Sequence, residues 1–147
     1  MIRNTRHTGL VVRDLARSIS FYQALGLKVW KREVETGSFI AAVVGIPDVR
    51  LEWAKLRAPD GTLVELLQYH SHPRSQPVRP AASNQLGCSH IAFTVDDLSA
   101  ACALVGRLGG SMVNPPARAP GGKVRVAYCH DPDGILMELV EELDGHG

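Results

Sequence analysis

Charge of either sign is not in excess: sixteen Lys and Arg stand against fifteen Asp and Glu, a net +1 with histidines neutral. Without a run of like charge, nothing marks a nucleic-acid or membrane-surface partner. Cysteine is scarce, and Cys88, Cys102 and Cys129 show no CxxC spacing. That argues against a disulfide framework and fits reduced thiols in a cytoplasmic protein. The apolar run Phe39 to Ile46 falls far short of the ~20 residues a membrane-spanning helix needs. The first residues lack the apolar h-region of a secretory signal. What remains is an expected cytoplasmic globular chain, whose 147 residues can bury a core as one domain or as two small halves sharing one.

What is present is a duplication. His7, Asp14 and Leu15 map onto His90, Asp97 and Leu98 at one offset of eighty-three residues, and Leu25-Gly26 falls on Leu108-Gly109 at the same offset. Pro59-Asp60-Gly61 with Glu65-Leu66 answers Pro132-Asp133-Gly134 with Glu138-Leu139 at an offset of seventy-three. The ten-residue difference between these offsets means that the first half has the longer middle. A period of half the chain describes a duplicated module and not a solenoid.

Each half predicts β-α-β-β-β. Arg6–Val12 reads as a strand, and Asp14 caps a helix carrying Leu15, Ile19, Tyr22 and Leu25 at helical spacing. Gly26 ends that helix. Lys28–Glu35, Val49–Arg57 and Thr62–Tyr69 read as strands, with a turn at Pro59-Asp60-Gly61. Ser38–Gly45 is ambiguous between strand and short helix. The second half repeats the pattern with a strand at Ser89–Val95, a helix capped by Asp97, and strands at Ser111–Val113, Lys123–Cys129 and Ile135–Glu141. Asn114–Gly122 reads as a loop able to lie over a site. Residues 1–147 are expected to form one domain: module one over 5–70, a proline-rich linker over 71–86, and module two over 87–142.

The chemistry rests on four residues that the duplication pairs, His7 with His90 and Glu65 with Glu138. Leu63-Val64-Glu65-Leu66-Leu67 and Leu136-Met137-Glu138-Leu139-Val140 read as strands apolar on both faces, so each carboxylate points into an apolar place. An ionised carboxylate there costs several kcal/mol of desolvation unless compensated. No Lys or Arg is expected at a neighbouring strand position to compensate it. A divalent cation would, and two imidazoles with two carboxylates form a hard-to-borderline N/O set. On an octahedral ion this set leaves positions open for substrate.

With these residues in view, the chain resembles the vicinal oxygen chelate superfamily, which includes glyoxalase I, methylmalonyl-CoA epimerase, extradiol dioxygenases, fosfomycin-resistance enzymes and bleomycin-binding proteins. The resemblance covers nearly the whole chain and includes the Asp131-Pro132-Asp133-Gly134 segment leading to Glu138-Leu139. It implies an α+β fold of two βαβββ modules, whose curved mixed sheets surround a metal cleft, usually in a homodimer. It also implies that His7, Glu65, His90 and Glu138 are metal ligands, for Ni²⁺, Co²⁺, Mn²⁺, Fe²⁺ or Zn²⁺. Glu65 points to the glyoxalase and epimerase side, because the dioxygenases and fosfomycin enzymes lack a ligand at that place.

The expected function is therefore that of a metal-dependent lyase or isomerase acting on a small molecule chelated through adjacent oxygens, with Glu65 or Glu138 as the base. An extradiol-type dioxygenase and a metal-free binding or resistance protein are the alternatives. Val11 stands where short glyoxalases carry an Arg for glutathione, and Gln68-Tyr69-His70 replaces their Asn-Trp-Gly. Arg118 and Lys123, beside the proline-glycine loop, are candidates for a substrate's anionic end. Cys129 and His130, neighbours on a strand, are expected to face opposite ways. His70, His72 and His146 are expected to be solvated.

Overall fold

The computed structural model describes residues 1–74 and 80–143. The chain forms two compact units, Met1–Gln76 and Pro77–Gly147. The first contains β1 (Thr8–Val11), α1 (Leu15–Ala24), β2 (Lys28–Glu35), α2 (Ser38–Val44), β3 (Leu51–Arg57) and β4 (Leu63–Tyr69). Its sheet has the order β1-β4-β3-β2, with β1 parallel to β4 and the other neighbours antiparallel. The second contains β5 (Ile91–Thr94), α3 (Leu98–Arg107), β6 (Ser111–Met112), β7 (Ala117–Arg118), β8 (Val124–His130) and β9 (Leu136–Glu142). Its sheet runs β5-β9-β8-β6, with β7 added to β8 and β5 parallel to β9. This is an α+β fold of two βαβββ modules.

The duplicated Asp residues start the helices as predicted. Asp14 Oδ1 accepts from Arg17 N at 3.0 Å and Asp97 Oδ1 from Ala100 N at 2.9 Å, satisfying a donor that the first turn leaves without an intrahelical partner. Beyond each helix a glycine takes a left-handed φ, +110° at Gly26 and +90° at Gly109, where a Cβ would be strained. Gly110 has a different task. A Cβ there would lie 2.5 Å from the His130 carbonyl oxygen and 2.7 Å from Val105 Cγ1, so the residue lets α3 and β8 approach closely.

Strand alternation sorts the first sheet into two faces. Ala54, Leu56, Val64 and Leu66 are fully buried on the face toward α1, which packs on β3 and β4. Gln68 shares that face, and its Oε1 accepts from Leu15 N at 2.7 Å. Glu65, Lys55 and Trp53 lie on the other face. The ambiguous segment is the helix α2, closed by Gly45 in a left-handed conformation. Its Ile40 joins Val49, Leu51 and Trp53 in a second small core, with Leu67 and Tyr69 packed against it. The extra length of the first half thus builds a helix on the Glu65 face. Within the expected loop at 114–122, Ala117 and Arg118 form a two-residue strand that pairs with Val126 and Arg125, and the remaining residues are loop and turn.

Candidate active site

Each module brings its own His and Glu together. Gly9 of β1 pairs with Glu65 and Ala92 of β5 pairs with Glu138, so a small residue stands beside each carboxylate. His7 and His90 lie two positions earlier, on the same face by alternation. His7 Nε2 is 3.3 Å from Glu65 Oε2, and His90 Nε2 is 2.9 Å from Glu138 Oε2. Among the described residues no three His, Cys, Asp or Glu side chains gather at a point that could hold a metal ion. Each unit assembles one His and one Glu of the four predicted residues.

The imidazole and carboxylate of each pair are the N and O donors that a divalent cation takes. In the first unit His7 turns Nε2 toward Glu65, while its buried Nδ1 makes no hydrogen bond to any described residue. In the second unit, Ser89 Oγ donates to the Ser83 carbonyl at 2.8 Å and lies 3.0 Å from His90 Nδ1. In the tautomer that carries its proton on Nδ1, His90 donates to Ser89 Oγ. The Nε2 lone pair of a neutral His90 then faces the Glu138 carboxylate, and two acceptors at that distance need a proton or a cation between them.

One expectation fails. Glu65 does have a cationic strand neighbour: Lys55 of β3 pairs directly with it, and Lys55 Nζ lies 3.6 Å from Glu65 Oε2. The equivalent place opposite Glu138 holds Tyr128, whose ring is 5.1 Å from that of His90. Reflection about the Pro59-Asp60-Gly61 turn would have found Lys55, since the antiparallel register centres on Asp60.

A model of the Glyoxalase/Bleomycin resistance protein/Dioxygenase superfamily matches residues 5–139. The chain belongs to this superfamily. It is 33% identical over 141 residues to a lactoylglutathione lyase of Neisseria meningitidis, covering 95% of this chain and 91% of that one. It is 31% identical to the lactoylglutathione lyase of Escherichia coli O157:H7, covering 94% and 92%. With lyases matching over nearly its whole length, the chain is an enzyme of the glyoxalase lyase type. A glyoxalase family protein from Bacillus cereus superposes with a TM-score of 0.90 at 28% identity, over 97% of this chain and 96% of that one. A fosfomycin resistance protein from Listeria monocytogenes, complexed with Mn(II) and sulfate, shares the fold at 18% identity and a TM-score of 0.63, over 98% and 96%.

In this glyoxalase-type enzyme the remaining candidates divide. Val11 is 61% exposed on the His7 face of β1, an apolar group where a polar one was sought. Gln68 faces away from Glu65 and receives the first amide of α1. Arg118 turns its guanidinium to the Gly122 carbonyl, with donor distances of 3.2 and 3.1 Å, and Lys123 opens the return strand. His70 is paired rather than merely solvated: its Nε2 is 2.7 Å from Glu52 Oε2, and Arg32 Nε donates to Glu52 Oε1 at 2.7 Å. The hydrogen bond from His70, with Arg32 beside it, holds the Glu52 carboxyl below its ordinary value. Cys129 is fully buried, and burial pushes its thiol up to about 12, which removes the thiolate a nucleophile needs. His130, its neighbour on the strand, is buried too and lies 2.8 Å from the Ala81 carbonyl. His146 lies outside the described residues.

Proposed function

We propose that the chain is a divalent-metal-dependent glyoxalase-type lyase or isomerase, in which His7, Glu65, His90 and Glu138 hold the ion. The observation that carries this reading is the repeated His–Glu pair, with Ser89 against His90 Nδ1 and Nε2 turned toward Glu138. The two modules act as one domain, and a homodimer with ligands drawn from either copy is compatible with the pairing. When bound, the ion supplies Lewis-acid polarisation of a substrate carbonyl chelated through adjacent oxygens. Glu65 or Glu138 takes the proton from the carbon next to that carbonyl and returns it to the same or the neighbouring carbon. His7 and His90 hold the donor geometry while a carboxylate moves.

The relatives named lactoylglutathione lyase support the reaction type. Val11 argues for a different substrate, since a site without a polar partner for a charged group loses discrimination for it. The expected substrate is a 2-hydroxy carbonyl compound or thioester other than the methylglyoxal–glutathione hemithioacetal. A screen of Ni²⁺, Co²⁺, Mn²⁺, Fe²⁺ and Zn²⁺ against the hemithioacetal, a methylmalonyl thioester and other 2-hydroxy carbonyls tests this. Metal-independent turnover would refute the metal reading. A kcat/KM on the hemithioacetal of about 10⁴ M⁻¹s⁻¹ or more would refute the substrate reading.

A further inference from the structure

Lys55 stands between two roles. It faces Glu65 across β3 and β4, and it also faces Lys31 directly across β2 and β3. Like charges directly opposite on a sheet repel, and these two share one aromatic surface. Lys55 Nζ is 4.8 Å and Lys31 Nζ 5.7 Å from the Trp53 ring centroid. Each ammonium also has one carboxylate. Glu33 lies 2.8 Å from Lys31, whereas Glu65 lies 3.6 Å from Lys55, too far for a tight hydrogen bond. Lys55 and Glu65 are the more enclosed pair, with side chains 21% and 12% exposed.

We propose that Lys55, with Lys31 beside it, is the specificity-determining cation that binds the anionic end of the substrate. The inference rests on the reading of Glu65 as a metal ligand. A carboxylate engaged by a divalent ion gives up much of its negative field to that ion, and Lys55 then faces Lys31, beside Trp53, with its counter-charge withdrawn. An enclosed ammonium in that position needs an anion. A carboxylate or phosphate on the substrate, placed beside the two chelating oxygens, supplies it with a charge-assisted hydrogen bond. Metal and substrate anion therefore bind with positive coupling, each relieving what the other leaves uncompensated. No such cation opposes Glu138, where Tyr128 stands, so this binding site belongs to the first module. Trp53, 7% exposed and packed with Ile40 of α2, offers its ring to the Lys55 ammonium at 4.8 Å.

The test uses the full chain, isothermal titration with Ni²⁺, Co²⁺ and Zn²⁺, and then three chelating probes on the loaded protein. Acetohydroxamate offers two adjacent oxygens with no further charge, succinohydroxamate adds a carboxylate, and phosphonoacetohydroxamate adds a phosphonate. Lys55→Met is expected to bind metal severalfold more tightly, because a neighbouring positive charge is gone. It should lose about ten- to hundredfold in affinity for the two charged probes and nothing for acetohydroxamate. Lys55→Arg should keep the preference, and the exposed Lys31→Met should show a smaller loss of the same kind. Preference for only one charged probe identifies carboxylate or phosphate as the matching chemistry. Equal losses on all three probes in Lys55→Met, or an unchanged preference, would overturn the assignment. If Lys55→Met does not fold, an unaltered preference in Lys31→Met overturns it instead. Absence of metal uptake by the unaltered chain would remove the functional reading and this inference together, whereas uptake abolished by Glu65→Ala with no Lys55 effect would remove the inference alone.

Discussion

Lys55 and Glu65 occupy directly opposed positions on β3 and β4, with ammonium and carboxylate 3.6 Å apart, while Tyr128 opposes Glu138 at the same place in the second module. The duplication has kept its carboxylates and changed what faces them. The two halves are thus chemically unequal.

That inequality has a stability consequence. Removing Glu65 from metal-free protein leaves Lys55 opposite Lys31 without its carboxylate, whereas removing Glu138 leaves His90 with Ser89 as its partner. In chelator-containing buffer, Glu65→Ala should be less stable than Glu138→Ala by about 1 kcal/mol, the partial enclosure of Lys55 setting the scale. Denaturant unfolding measures the difference, and Lys55→Met in the Glu65→Ala background should recover most of it. Equal midpoints for the two single variants would contradict the asymmetry.

Ser89 should matter without touching a metal. Its hydroxyl lies 3.0 Å from His90 Nδ1 and holds the ring with Nε2 toward Glu138. Outer partners of this kind typically contribute about ten- to a hundredfold in metal affinity. Ser89→Ala is expected near the lower figure, with thermal stability in the absence of metal little changed. Metal titration followed by melting in chelator checks both parts, and an affinity equal to that of the unaltered chain would dismiss the role.

Gly110→Ala should be costly although the change is one methyl group. Its Cβ would collide with the His130 carbonyl and with Val105, and backbone cannot yield cheaply. A loss of about 2–3 kcal/mol is expected, which at this chain length lowers Tm by roughly 5–10 °C. Calorimetry decides it. A shift near zero would mean that α3 moves freely relative to β8.

The Glu52 pair carries a pH dependence of defined sign. Its folded-state value lies below the ordinary 4.5, held there first by the hydrogen bond from His70. A lowered carboxylate value contributes stability that is present above the ordinary value and lost as pH falls through the folded one. His70→Phe should therefore be less stable than the unaltered chain above about pH 5, and the two should converge in stronger acid. Unfolding midpoints across that range measure it, and a gap that widens on acidification would reverse the sign.

The duplicated framework was legible in the sequence because its signals are local. Asp14 and Asp97 cap helices through side chains that reach three residues along the chain, and Gly26 and Gly109 supply a backbone conformation that other residues resist. The His and Glu of each module could be named from their repeated spacing. What faces them could not be read from periodicity alone. Lys55 is ten residues from Glu65 in the chain, and only the antiparallel register about Asp60 puts them opposite each other. The helical state of 38–44 likewise came from packing, since Phe-Ile-Ala-Ala-Val-Val suits either a strand or a helix until Ile40 meets Val49, Leu51 and Trp53. Ser89 reads as an ordinary polar residue at the start of a strand until its hydroxyl is seen between the Ser83 carbonyl and His90. Local chemistry determined the elements and the paired donors. Register and packing, which join residues distant in the chain, decided the charge beside Glu65, the hydroxyl beside His90 and the helix on the Glu65 face.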